Sequence, residues 1–218
     1  MKIADEKDLD KEKKVDNAEP ISLLLDSVSG DSDEKTRTIA LYEEITEESA
    51  SSVVGALMYL HQTGFYLEQD PEDPEVSEEK CEPIKLVVSS VGGSAHEMFS
   101  IYDTMRMVRG ECEIETAGLG KVMSAAILIL AAGTKGKRKI GKNCRVMLHP
   151  VAGGAIGDIQ DIENDTKEIK IQQRQYIKCL AEESNLTVKK INSILGKKIN
   201  QYFSAEEAVE FGIADEII

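Results

Sequence analysis

Along the chain, apolar positions change period several times, and each change marks an element. Thr38 to Tyr42 alternates and reads as a first strand. From Glu47 to His61, Ala50, Val53, Val54, Leu57 and Leu60 recur at helical spacing, and Gly64 supplies a stop. The run Ile84–Ser90 reads as a buried strand. It ends at Gly92-Gly93, after which Met98, Ile101, Tyr102, Met105 and Val108 define one face of a helix over 95–108. Cys112 to Ala117 is strand-like, a glycine-rich turn leads to Ser124, and an apolar helix follows to Gly133. A strand over 138–149 ends in His149-Pro150. The segment Ala152–Gly157 then opens a long helix over about 159–183, with Ile162, Ile169, Tyr176, Ile177 and Leu180 as its apolar stripe. Ser204-Ala-Glu-Glu207 is a capping box for a short helix ending at Gly212, before a final edge over 213–218.

Strands alternating with helices predict an α/β fold built of βαβ units. At 218 residues the chain is sized for one domain. Residues 1–35 mix Asp, Glu and Lys with few large apolar residues and are expected to be a mobile acidic segment, leaving 36–218 as the domain. Between Leu67 and Pro83, eight acidic residues against one Lys give net −7, half of the chain's −14, and this acidic insertion reads as a solvated surface loop.

That charge disfavours nucleic-acid binding, which draws its affinity from Lys and Arg on phosphates. The apolar run Ala125–Ala132 falls far short of the ~20 residues that span a bilayer, so no membrane role is expected. The charged N-terminus suggests neither a secretory signal nor a transit peptide, and a cytoplasmic location is expected. Cys81, Cys112, Cys144 and Cys179 are widely spaced with no C-x-x-C pair, which fits reduced thiols and disfavours zinc. With His61, His96 and His149 as the only histidines, no metal or other cofactor is expected.

The candidate chemistry is a nucleophile at Ser124, a base at His149 and a glycine turn at Gly92-Gly93. A serine on a tight turn that opens a helix sits where backbone N–H groups favour developing negative charge. Ser is also a common helix cap, and a histidine finishing a strand is often only a satisfied polar residue, so both bland readings stay open. Gly92-Gly93-Ser94 lacks G-x-G-x-x-G and a P-loop lysine, which makes phosphate cradling a weak signal. His61 and His96 read as surface residues.

In combination these segments are specific. Ser90-Val-Gly-Gly-Ser94 with Ile101-Tyr-Asp-Thr-Met105, Ser124 with Leu128-Ile-Leu-Ala-Ala-Gly-Thr-Lys-Gly-Lys-Arg138, and Arg145-Val-Met-Leu-His-Pro150 stand in order. Gly153-Gly-Ala-x-Gly157 with Asp161-Ile-Glu163, and Ser204-Ala-Glu-Glu-Ala208 with Phe211-Gly-Ile-Ala-Asp215, complete the series. From about residue 38 to 218 the chain resembles the proteolytic subunits of ATP-dependent Clp proteases, serine peptidases of the ClpP/crotonase fold. Their spacing of 25 residues from Ser to His holds between Ser124 and His149.

The resemblance implies a handle helix within about 150–185, Ser124 as nucleophile, His149 as base, and an oxyanion hole from the N–H groups of Gly93 and Ala125. It further implies heptameric rings paired into a tetradecamer, polypeptide substrates, and a Clp-family unfoldase that uses the ATP while this chain needs no cofactor. The family's third residue is an Asp four positions before the Ser of the S-A-E-E-A signature. Here that position is Asn200, and no Asp occurs between Thr166 and Ala214. Asn can orient an imidazole but cannot balance an imidazolium, so weakened activity is expected.

Two further departures stand out. Val122 and Met123 bulk up the nucleophile turn, with a shifted Ser124 as the expected result. Lys85 and Val87 replace two tyrosines of the ATPase-docking surface. Two alternatives follow: an inactive structural or regulatory subunit of a mixed ring, and an acyl-CoA enzyme on the same fold.

Overall fold

A computed structural model describes residues 36–218 apart from 72 and 74. The acidic segment expected over 1–35 therefore lies outside the described residues. The rest, Arg37–Ile218, forms one compact unit. Its centre is a sheet ordered β1 (Thr38–Leu41), β4 (Ile84–Ser90), β5 (Ile114–Met123), β6 (Arg138–Ile140) and β9 (Glu216–Ile217). All four of these pairings are parallel. Two more strands leave that path: β7 (Arg145–Leu148) runs parallel to β5, and β8 (Gln201–Phe203) pairs antiparallel with β7.

Among the described residues six helices complete the architecture: α1 (Glu47–Gln62), α2 (Ala95–Val108), α3 (Ala125–Ala131), α4 (Ile159–Glu183), α5 (Val188–Leu195) and α6 (Ala205–Glu210). This is the α/β fold the alternation predicts. Burial explains the two most central elements. In β4, Ile84, Leu86 and Val88 are all fully covered. Every residue of α3 is buried, so a helix of Ala, Ile and Leu without polar positions can only sit inside the domain.

Caps set the helix starts. Thr46 and Ser49 form a reciprocal capping box before α1, and Ser204 and Glu207 form the one expected before α6. Asp158 starts α4 by accepting from the Asp161 N–H at 3.0 Å.

Four expectations are corrected. The glycine-rich stretch before Ser124 is strand, because β5 continues to Met123 and pairs there with β7. The strand expected over 138–149 is two strands, β6 and β7, which lie against different parts of β5. The acidic run is no plain loop: β2 (Phe65–Gln69) and β3 (Ser77–Cys81) form an antiparallel hairpin of their own, exposed along most of its length. Lys80 bridges to Glu68 across its strands, a pairing that net charge hides. Finally, Cys81 and Cys112 are joined as a disulfide with Cα atoms 5.1 Å apart, whereas Cys144 and Cys179 are free. Their separation of 31 residues concealed this proximity, which arises because β3 ends beside the start of β5. Arg37 fastens the same corner by donating to the carbonyl oxygens of Leu60 (2.9 Å) and Glu82 (2.8 Å).

The long helix α4 has the expected bounds, but its apolar stripe is covered only in its second half. Tyr176, Ile177 and Leu180 are buried, while Ile159 and Ile162 are exposed. At its end, Glu183 is buried and held by Arg109 (3.0 and 3.1 Å), Arg106 (2.7 Å) and Tyr102 (3.1 Å). Burial alone would raise the carboxyl pKa, but the hydrogen bonds from Arg109 and Arg106 outweigh it and hold Glu183 below the usual carboxylate range.

Candidate active site

Ser124 stands between β5 and α3 with φ 54° and ψ −123°, a conformation that side-chain-bearing residues rarely adopt. It is held there by its own N–H, which donates to the Met147 carbonyl of β7 at 2.7 Å. The same strand carries His149 just beyond its end. One strand therefore both pins the serine backbone and delivers the imidazole. Nε2 of His149 lies 2.8 Å from Ser124 Oγ. With the proton on Nδ1, Nε2 accepts from the serine hydroxyl, the arrangement a general base requires. The bulkier Val122 and Met123 do not push this pair apart: Val122 is buried in the core, and Ser124 meets His149 within hydrogen-bond reach.

Gly92 and Gly93 approach the serine from β4 with φ of 90° and 153°. A methyl group on Gly92 would meet Met123 O and Ser124 Cβ at 2.7 Å and Ala125 N at 2.9 Å, so only glycine lets the two turns touch. Gly93 is bridged to Ile45, whose N–H donates to Gly92 O (2.8 Å) and whose carbonyl accepts from Ser94 N (2.9 Å). Among the described residues, neither the Gly93 nor the Ala125 N–H is given to an acceptor within the fold. Two free donors beside a serine Oγ are what a tetrahedral oxyanion needs.

The third position differs. Leu148 pairs with Gln201 in the antiparallel β7–β8 ladder, and continuing that register by one residue sets Asn200 across from His149. The backbone thus brings Asn200 to the right place. Its side chain, however, is exposed and forms no hydrogen bond to the imidazole, and Nδ1 of His149 has no partner among the described residues.

All three of Ser124, His149 and Gly93 line one open cleft of about 500 Å3 between the glycine turn and the first half of α4. Glu44, Asp165 and Glu168 also line it, with no Lys or Arg, so its charge is negative. His96, expected only as a surface residue, faces this cleft and contacts the buried Gln172 at 2.7 Å. His61 is partly buried against Phe65 and bonds Glu111 at 2.8 Å, well away from these residues in the fold. Tyr176 was legible only as part of an apolar stripe, yet its hydroxyl donates to the Ser124 carbonyl at 3.1 Å. Among the described residues no group of three His, Cys, Asp or Glu side chains is placed to hold a metal ion.

A parallel-stranded α/β domain that places a Ser–His pair at a strand-to-helix turn, opposite a double glycine, defines a narrow class. The profile of the Clp protease family matches residues 27–218. The chain is 32% identical over 184 residues to the ATP-dependent Clp protease proteolytic subunit 2 of Chlamydia trachomatis serovar D, covering 84% of this chain and 81% of that protein. The corresponding subunits of Chlamydia muridarum and Chlamydia pneumoniae are 32% and 31% identical with the same coverage. The chain belongs to the Clp protease family.

Proposed function

We propose that this chain is a subunit of a self-compartmentalising serine endopeptidase. Ser124 attacks the scissile carbonyl carbon while His149 takes the hydroxyl proton. The oxyanion that forms is held by the N–H groups of Gly93 and Ala125. His149 then returns the proton to the leaving amine, and water repeats the sequence to release the acyl group. The observation that carries this reading is the 2.8 Å contact between Ser124 Oγ and His149 Nε2, made at a serine of positive φ. Asn200 leaves the imidazolium without a countercharge, so turnover is weak.

The substrate is unfolded polypeptide, delivered by a Clp-family ATPase that consumes the ATP; this chain takes no cofactor. Lys85, exposed on β4, and the neighbouring hairpin give that partner a different docking surface from two tyrosines. The chain assembles into heptameric rings, paired into a tetradecamer through the handle region, about 150–185. This is supported by Ile156, Ile159, Ile162 and Ile171, which are exposed on and just before the first half of α4. We place the particle in the cytoplasm, in keeping with its acidic, highly charged sequence.

The test is turnover of a short fluorogenic peptide by the assembled protein, with Ser124→Ala beside it. Equal rates for the two refute the peptidase reading. A second reading, an inactive structural or regulatory subunit of a mixed ring, is favoured by the unbonded Asn200 side chain and the unpartnered His149 Nδ1. A fluorophosphonate probe separates them, since an inert Ser124 is labelled no faster than denatured protein.

A further inference from the structure

Tyr176 is a buried group on α4 that hydrogen-bonds to the reactive turn, and the peptidase scheme above does not use it. The residue is 5% exposed, and its hydroxyl donates to the Ser124 carbonyl oxygen at 3.1 Å. That oxygen also accepts the Ile127 N–H at 3.1 Å. The carbonyl of Ser124 and the N–H of Ala125 belong to the same planar peptide group and point in opposite directions. Whatever fixes the oxygen therefore aims the N–H.

We propose that Tyr176 is a positioning residue for the oxyanion hole: its hydroxyl locks the Ser124–Ala125 peptide plane so that the Ala125 N–H faces the attacked carbonyl. This rests on the peptidase reading. Three features of the structure support it. The peptide joins Ser124, at positive φ, to the first residue of α3, so its plane lies where the chain turns from strand into helix. Gly92 packs against the same peptide so closely that a Cβ added to it would lie 2.9 Å from Ala125 N, so a tilt of that plane changes a tight contact. Tyr176 can act only as a donor to the carbonyl, because burial pushes its phenol well above the ordinary value and keeps it neutral. A donor on the carbonyl also polarises the peptide and strengthens its N–H as a donor.

The alternative is that Tyr176 merely fills the core and satisfies its hydroxyl. Removing that hydroxyl with Tyr176→Phe keeps the ring and separates the two roles. The measurements are kcat and KM on a fluorogenic peptide, together with the affinity for a peptide aldehyde, whose hemiacetal oxygen occupies the oxyanion hole. The expected result is a fall in kcat of about tenfold, the scale of one lost hydrogen bond, with KM unchanged. Aldehyde affinity should fall by the same factor.

A Tyr176→Phe protein with wild-type kcat overturns the proposal, as does a lower kcat with undiminished aldehyde affinity. Should the variant melt early, Tyr176→Met serves as a packing control. It must lose activity to the same extent as Tyr176→Phe when compared at a temperature where both are folded, and a difference between them that follows stability counts against the proposal. Wild-type protein that neither turns over peptide nor reacts with fluorophosphonate overturns the peptidase reading itself, and this proposal with it.

Discussion

The two sides of the His149 ring are built to different standards. On the Nε2 side, Ser124 is fixed by a main-chain bond to β7, a glycine turn that tolerates no added atom, and the Tyr176 hydroxyl. On the Nδ1 side, a three-residue strand brings Asn200 opposite the ring and nothing ties its side chain there. Backbone hydrogen bonds and packing hold the attacking half; the orienting half rests on one exposed amide. Attack geometry can therefore survive without the group that makes it fast.

The largest effect should come from the fixed side. Ser124→Ala is expected to lower kcat on a fluorogenic peptide by at least about 10⁴-fold, because a triad acts as a unit through its nucleophile. A smaller loss means that the measured activity belongs to another protein or another group. On the open side, Asn200→Asp should raise kcat by about 100-fold. This is less than the ~10⁴ by which Asp→Asn lowers a closed Ser-His-Asp triad, since an exposed carboxylate interacts through water. The gain should vanish in a double variant that also carries Ser124→Ala. If Asn200→Asp gives no gain, the third position is not merely waiting for a charge.

Gly92→Ala tests how tightly the fixed side is built. An added methyl must displace Ser124 or its neighbours, and a shift of a few tenths of an ångström should cost about 10- to 30-fold in kcat. Full activity in that variant would show that the two turns yield easily.

The smallest effect separates loss of the site from loss of the fold. Glu183 is held low by Arg109 and Arg106 against the cost of burial, and Asp215 is held low by Arg138 in the same way. Groups whose folded pKa lies below the unfolded value stabilise the protein above the unfolded value, near 4. That stability is lost as pH falls from about 5 through the folded pKa. The thermal midpoint should therefore drop between about pH 5 and pH 3, and the drop should shrink in Glu183→Gln, which starts from a lower midpoint. An equal drop in both proteins would assign acid sensitivity elsewhere.

The long elements were legible because their burial follows their sequence period. The strand over 84–90 and the helices over 95–108 and 159–183 match the observed bounds. Helix α5, Val188–Leu195, escaped notice: it is only eight residues long and begins between charged and polar positions. The hairpin was hidden because its second strand, Ser77–Cys81, is mostly charged and carries no apolar face, and its restraints are a cross-strand ion pair and a disulfide to a distant residue. Ser124, His149 and the glycines were legible as candidates through spacing and likeness. Tyr176 was not, since a tyrosine on an apolar stripe looks the same whether its hydroxyl meets a carbonyl at random or one next to a nucleophile. The disulfide and the fate of Asn200 depend on where backbones meet, which no local pattern carries.

Strand β5 changes neighbours partway along, pairing with β6 through Thr116–Gly118 and with β7 through Lys121–Met123. A slip of β7 by one residue would reverse every side chain on it and carry His149 to the opposite face of the sheet. It would also break the bond from Ser124 N to Met147. Ser124 and His149 are thus brought together by the act of aligning two strands. On the peptidase reading proposed above, a misregistered chain is not a poorer enzyme but an unarmed one, and unfinished molecules do not cut the proteins around them.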